Sequence, residues 1–197
     1  MASLTRNVVF LHTAGTQPDS WAGVLNALPA DITPWLPNLS TGGPAEQLTV
    51  LEKLLDRNEL RDVALVAFGS GAPVAVLFAA RQPHRVNALL LASPLLHADP
   101  AQTKALARAV KWVPGFLLRR RGLDKQTILA DLAAGPVTEL AGDLAAVSAP
   151  TVLLSTAEET VAEQIERTAA QLPEAQVRVV AGVAGNWYED DPARFSS

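Results

Sequence analysis

Short uninterrupted apolar runs alternate along the chain with stretches in which apolar residues recur every three to four positions. Asn7 to Leu11 (NVVFL), Asp62 to Ala67, Val86 to Ala92 (VNALLLA), Thr151 to Ser155 and Gln176 to Val180 read as strands buried on both faces, with Ile32 to Leu36 a weaker one. Trp21, Val24, Leu25 and Leu28 fall on one helical face, as do Leu48, Leu51, Leu54 and Leu55. Helices are also predicted over 72–81 and 161–172, the second opened by the capping box Thr160-x-x-Glu163. Strands alternating with helices through short connections predict an α/β fold: a mostly parallel six-stranded sheet with helices on both faces and a ligand crevice at the carboxyl ends of its strands. Residues 98–148 break the rhythm. They carry no strand pattern and two or three short helices punctuated by Gly and Pro, expected as a small helical lid inserted into one domain spanning 1–197.

Hydropathy raises one alternative, because Val63 to Ala80 is uncharged and long enough for a spanning helix. Its centre, Phe68-Gly69-Ser70-Gly71-Ala72-Pro73, is turn chemistry, so strand, tight turn and helix are expected instead. The chain has 197 residues, 49% hydrophobic, and a net charge of −4, enough core material for a globular fold and no general nucleic-acid surface. Zero cysteines exclude disulfides, a thiol nucleophile and cysteine-ligated metals, and three histidines (His12, His84, His97) leave little room for zinc. No cofactor is expected. The first apolar run is too short for a signal peptide, and a cytoplasmic protein is expected.

Charge is uneven. Residues 101–125 hold seven Lys and Arg against Asp124 alone, while the remainder holds nine against nineteen acids. A basic lid with Trp112, Phe116, Leu117 and Leu118 suits an anionic substrate, an acidic carrier protein or a membrane surface, or is a solvated helix face.

The segment Asp62 to Pro94, DVALVAFGSGAPVAVLFAARQPHRVNALLLASP, closely resembles the α/β-hydrolase superfamily around its nucleophile elbow. VVFLHTAGTQPDSW resembles the family's His-Gly oxyanion loop, and LAAVSAPTVLLSTAEE and VVAGVAGNWYEDDPARF resemble its acid and histidine segments. The chain is thus identified as a truncated member of that superfamily. The resemblance implies a sheet that starts at the family's third strand, with the six strands, numbered along this chain, in the order 2-1-3-4-5-6. The flank beside the second strand is then left for solvent or for a homodimer.

The family's elbow reads small-x-nucleophile-x-Gly, and that register here is Ala67-Phe68-Gly69-Ser70-Gly71, with Gly69 at the nucleophile position. Where the family has Gly-His before its last helix, this chain has Gly185-Asn186, and the oxyanion glycine is Thr13. Glu159 stands at the acid position with no imidazole to orient. Acyl transfer needs an oxygen or sulfur nucleophile and a base, and glycine offers neither.

Candidate chemistry gathers at the strand ends. His12 is a candidate acid or base, or else a histidine that holds the oxyanion loop in shape, and Ser70 and Gly71 could offer backbone N–H groups to an oxyanion or enolate. Thr13, Phe68, Gly69, His97, Asn186, Trp187 and Tyr188 are candidate substrate contacts, with Trp35 as a further aromatic wall and Asp99 beside His97. Three functions fit. The first is a non-covalent lyase, isomerase or cyclase acting on a small hydrophobic substrate; the second is a catalytically inactive pseudoenzyme that binds a ligand or a protein. The third is a residual esterase or thioesterase using Ser70.

Overall fold

The computed structural model describes residues 6–13, 15–39, 43–97, 100–120, 123–134, 140–156 and 159–196. Six strands, β1 (Arg6–Leu11), β2 (Ile32–Trp35), β3 (Val63–Phe68), β4 (Val86–Ala92), β5 (Thr151–Thr156) and β6 (Ala175–Val180), form one parallel sheet in the order β2-β1-β3-β4-β5-β6. Between them run α1 (Ala22–Asn26), α2 (Pro44–Arg57) and α3 (Ala72–Arg81). Helices α4 (Pro100–Trp112), α5 (Gly115–Arg119), α6 (Lys125–Ala134) and α7 (Ala141–Ala146) separate β4 from β5, and α8 (Glu159–Ala169), α9 (Trp187–Asp190) and α10 (Pro192–Phe195) complete the α-helices among the described residues. This is the α/β-hydrolase type of sheet that the resemblance implies.

The strands' period of two sorts side chains onto the two faces of the sheet. Val9, Leu11, Val63, Leu65, Leu89, Leu91 and Leu153 point to one face, where α2, α3, α7 and α8 cover them through Leu48, Leu51, Leu55, Val74, Phe78, Leu144 and Ile165. Val8, Phe10, Phe68 and Ala92 point to the other, beneath α1, α9 and α10. Those three helices are short, and the second face is filled by rings: Phe10, Trp21, Phe68, Trp187, Tyr188 and Phe195.

Proline sets several boundaries that apolar spacing overestimates. The helical face of Trp21 to Leu28 is a 3-10 turn (Pro18–Trp21) plus α1, which stops at Asn26 because Pro29 forces its predecessor out of helical geometry. Likewise α8 ends at Ala169, ahead of Pro173, and starts at Glu159, so Thr160 lies inside its first turn and not at its cap. The segment 63–80 is strand, turn and helix, and no helix among the described residues is long and apolar enough to cross a membrane.

Where two or three lid helices are expected, the described residues form four. The additional one, α7, is six residues long, too short for a periodic signal, and Leu140, Leu144 and Val147 around it are buried in the main core. The helices that stand apart from the sheet are therefore α4, α5 and α6. At the sheet's flank β2 has four residues and carries Pro34, which has no N–H to offer a neighbouring strand. At the opposite edge β6 exposes Val177 and Val179.

Candidate functional site

Strand order reverses around β1: the chain leaves β1 toward β2 on one side and leaves β3 toward β4 on the other. The loops after β1 and β3 consequently meet above the carboxyl edge, the place where open parallel sheets hold their ligands. The β3 loop is the turn Gly69–Gly71, entered from an extended Phe68. Gly69 has φ +54°, left-handed geometry that glycine adopts without the Cβ clash other residues suffer. The turn thus keeps an elbow's backbone without an elbow's side chain.

The space above Gly69 is filled. A Cβ built there would lie 2.5 Å from Thr13 Oγ1 and 3.2 Å from Thr13 Cβ. The same hydroxyl accepts the Ser70 backbone N–H at 3.2 Å and lies 3.2 Å from Ser70 Oγ. One side chain from the β1 loop therefore takes both the volume a nucleophile would need and an N–H that would hold its oxyanion. Gly71 packs on backbone, its Cβ direction meeting the carbonyl oxygens of Leu11 and His12 at 2.8 and 2.9 Å. Leu95, half-exposed, borders the turn, and its N–H donates to Gly69 O at 3.0 Å.

His12 holds this arrangement from behind. It is buried, and Nε2 accepts the Leu39 N–H at 3.0 Å, so the ring proton sits on Nδ1 and is donated to Thr13 O at 3.1 Å. Thr16 Oγ1 donates to the same carbonyl at 2.8 Å, and the Thr16 N–H joins it at 3.2 Å. Burial holds the imidazole below its ordinary pKa, opposed by the Thr13 hydrogen bond and then by Asp19. With both nitrogens committed, the ring's visible work is to fix the β1 loop.

The inserted helices close on that loop. Gly15 has φ +79°, and a Cβ there would meet Ile128 Cγ1 at 2.5 Å. The Asp124 N–H donates to Gly15 O at 2.9 Å, so the start of α6 is seated on the loop after β1. Beneath these helices, at the carboxyl end of β4, Ser93 has φ +43°, a strained conformation for serine. Ser93 Oγ and His97 Nε2 are buried and have no hydrogen-bond partner among the described residues. Burial, and then the charge of Arg167, hold His97 below its ordinary pKa. Asp99 lies outside the described residues, as does the side chain of Glu159, whose backbone begins α8.

The expected aromatic wall is core. Phe68, Trp187 and Tyr188 are buried, Tyr188 stacking on Trp21 at 4.2 Å and tilting against Phe68 at 4.8 Å. The Tyr188 hydroxyl donates to Ser20 Oγ at 3.0 Å, and burial raises its pKa far above the usual phenol value. Trp35, half-buried, is the last residue of β2, in register with Val9, and its indole N–H reaches back to donate to Asn7 Oδ1 at 3.0 Å. Asn186 Nδ2 donates to Glu189 Oε1 at 3.1 Å, bracing the start of α9.

Comparison with known proteins agrees with this architecture. The alpha/beta hydrolase family matches residues 8–197 of the sequence. The chain belongs to that family. Among solved structures it is similar to a hydrolase from Pseudomonas aeruginosa PA01, at 20% identity and TM-score 0.78 over 98% of this chain and 87% of the other. It is also similar to the enol-lactonase from Burkholderia xenovorans LB400, at 16% identity and TM-score 0.76 over 98% and 88%. A third is MGS-M2, an alpha/beta hydrolase enzyme from a Medee basin deep-sea metagenome library, at 14% identity and TM-score 0.81 over 98% and 86%. At these identities the likeness concerns the fold. No curated protein sequence matches the chain.

As an alpha/beta hydrolase, then, this chain keeps the elbow, the oxyanion loop and the inserted helices while its own side chains occupy the space between them. Sequence reasoning locates Gly69, Thr13 and His12. It misses Thr16 and Leu39, which fix His12; Ile128, which meets Gly15; and Ser93. Ser93 had a readable sign, since it follows the fourth strand directly, as did Gly15, the position that Ile128 meets, which follows the first strand closely.

Proposed function

We propose that this alpha/beta hydrolase works by binding and not by hydrolysis: a pseudoenzyme that holds a ligand or a protein partner. The observation that carries the reading is Thr13 Oγ1 standing 2.5 Å from where a residue-69 Cβ would be, with the Ser70 N–H already bonded to it. A serine at the elbow acts through an exposed Oγ, a base and an empty oxyanion hole. Here Gly69 supplies no Oγ, His12 has both nitrogens on protein partners and Asn186 is tied to Glu189. Against Ser70 as an alternative nucleophile stands its Oγ beside Thr13 Oγ1. The test adds the purified chain to an extract of producing cells and follows small molecules by mass spectrometry. Stoichiometric retention of a compound or protein without turnover is expected; product formed at catalytic protein levels overturns the reading.

A second reading, a non-covalent lyase, isomerase or cyclase acting on a small hydrophobic molecule, draws support from other residues than Ser70. Ser93 Oγ and His97 Nε2 are buried polar atoms awaiting partners, and a neutral imidazole can exchange a proton with a substrate. On this reading His97→Ala lowers turnover of the converted compound by about a hundredfold, in the range of a lost general acid or base. His12→Ala acts mainly through stability.

A further inference from the structure

The surface of α4 is divided lengthwise into three stripes with the same i, i+4, i+7 spacing. Thr103, Ala107 and Val110 are its least exposed positions and form the side packed on α6. Lys104, Arg108 and Lys111 form an exposed basic stripe on one flank. Ala105, Ala109 and Trp112 form an exposed apolar stripe opposite the packed side, extended by Leu106. At 100° per residue the basic stripe lies between the packed side and the apolar one.

The apolar stripe leads directly into α5. Trp112 is 88% exposed, Phe116 57% and Leu117 44%, and Arg119 and Arg120 follow, both exposed. A tryptophan this open forgoes the burial that large rings usually find, and here three large apolar side chains do so within six residues. The tip is held in place. Lys125 Nζ donates to Lys111 O and Val113 O, each at 2.8 Å, capping the last turn of α4 with a cation where the helix dipole is negative. The ion pairs among the described residues, Arg6–Asp31 and Arg85–Asp56, lie elsewhere, so no acidic side chain described there draws these cations inward.

We propose that the outer face of α4 and α5 docks on an anionic lipid surface. Trp112, Phe116 and Leu117 enter the headgroup–acyl boundary, and Lys104, Arg108, Lys111, Arg119 and Arg120 meet lipid phosphates. Charge complementarity makes the choice of occupant: five exposed cations alternate with bulky apolar side chains over two helices, the division of labour of an interfacial helix. An acidic protein would use the same cations but has no comparable use for an exposed Trp-Phe-Leu cluster beside them. The inference is independent of whether the crevice binds or converts anything.

Tryptophan emission provides the test. Trp21 and Trp187 are buried and Trp35 is half-buried, so Trp112 dominates the part of the signal that a surface can change. The full chain is floated with vesicles of phosphatidylcholine containing about one-third phosphatidylglycerol, and with vesicles of phosphatidylcholine alone, at low and high salt. The expected result is partition to the anionic vesicles, weakened by salt, with quenching of emission by brominated acyl chains. Trp112→Ala and the triple variant Lys104→Gln, Arg108→Gln, Lys111→Gln each reduce partition at least about tenfold while far-UV circular dichroism is unchanged. Failure of the full chain to partition at either salt overturns the proposal, as does undiminished partition of Trp112→Ala. Salt-sensitive binding to polyglutamate without vesicle partition overturns it in favour of an acidic protein partner.

Discussion

A side chain at position 69 has to place its Cβ in a turn of φ +54° where Thr13 Oγ1 stands 2.5 Å away. Left-handed backbone and overpacking act together, so Gly69→Ser is expected to lose about 2–4 kcal/mol in chemical denaturation. Adding Thr13→Gly recovers the overpacking share; equal stability of Gly69→Ser and the parent would contradict the geometry. His12 gives a second expectation. Its folded pKa is lowered by burial, so the unfolded chain binds more protons once pH falls below the ordinary value of about 6.5. Stability is therefore complete above that pH and declines below it, with His97 acting in the same direction. His12→Gln should flatten the acid limb of a denaturation midpoint against pH, and an unchanged limb would remove His12 as its source. The missing nucleophile is legible in the sequence because Gly69 stands in a recognisable register. Thr13 as the occupant of its space is not legible, since Thr13 and Ser70 are 57 positions apart and meet only when two loops converge.

At the scale of elements, the seat of α6 on the β1 loop depends on the absence of a side chain at Gly15, whose Cβ would meet Ile128 at 2.5 Å in left-handed backbone. Gly15→Ala should lift α6 and expose the connection between α5 and α6 to limited proteolysis, with global stability falling by about 1–3 kcal/mol. Cleavage as slow as in the parent would show that the helices are held by other contacts. The strands were readable to within about a residue because each is a continuous apolar run between turn signals. The helices of residues 98–148 were less so, because α5 has five residues and α7 six, too few for a period of 3.6 to register. The exposed outer stripes of α4 carry both apolar and basic residues, so hydropathy alone does not reveal which side faces the protein.

For the molecule as a whole, the sheet's two faces are stabilised differently: long helices cover one, and an aromatic cluster under short helices fills the other. Tyr188 lies in that cluster, and burial raises its pKa, so the folded chain retains a phenolic proton that the unfolded chain releases above about pH 10. Stability should hold up to that pH and fall beyond it. Tyr188→Phe should flatten this alkaline decline while costing about 1 kcal/mol at neutral pH through the lost bond to Ser20. Fold and order of strands could be read ahead of the structure because apolar pattern and motif order agree. The state of the site could not, because it depends on which side chains fill a gap. If the elbow, filled by Thr13 Oγ1, carries no acyl-transfer chemistry, as proposed, intact-mass spectrometry after treatment with a fluorophosphonate should find an unmodified chain under conditions that fully label an active serine hydrolase. A single adduct mapping to Ser70 would contradict it.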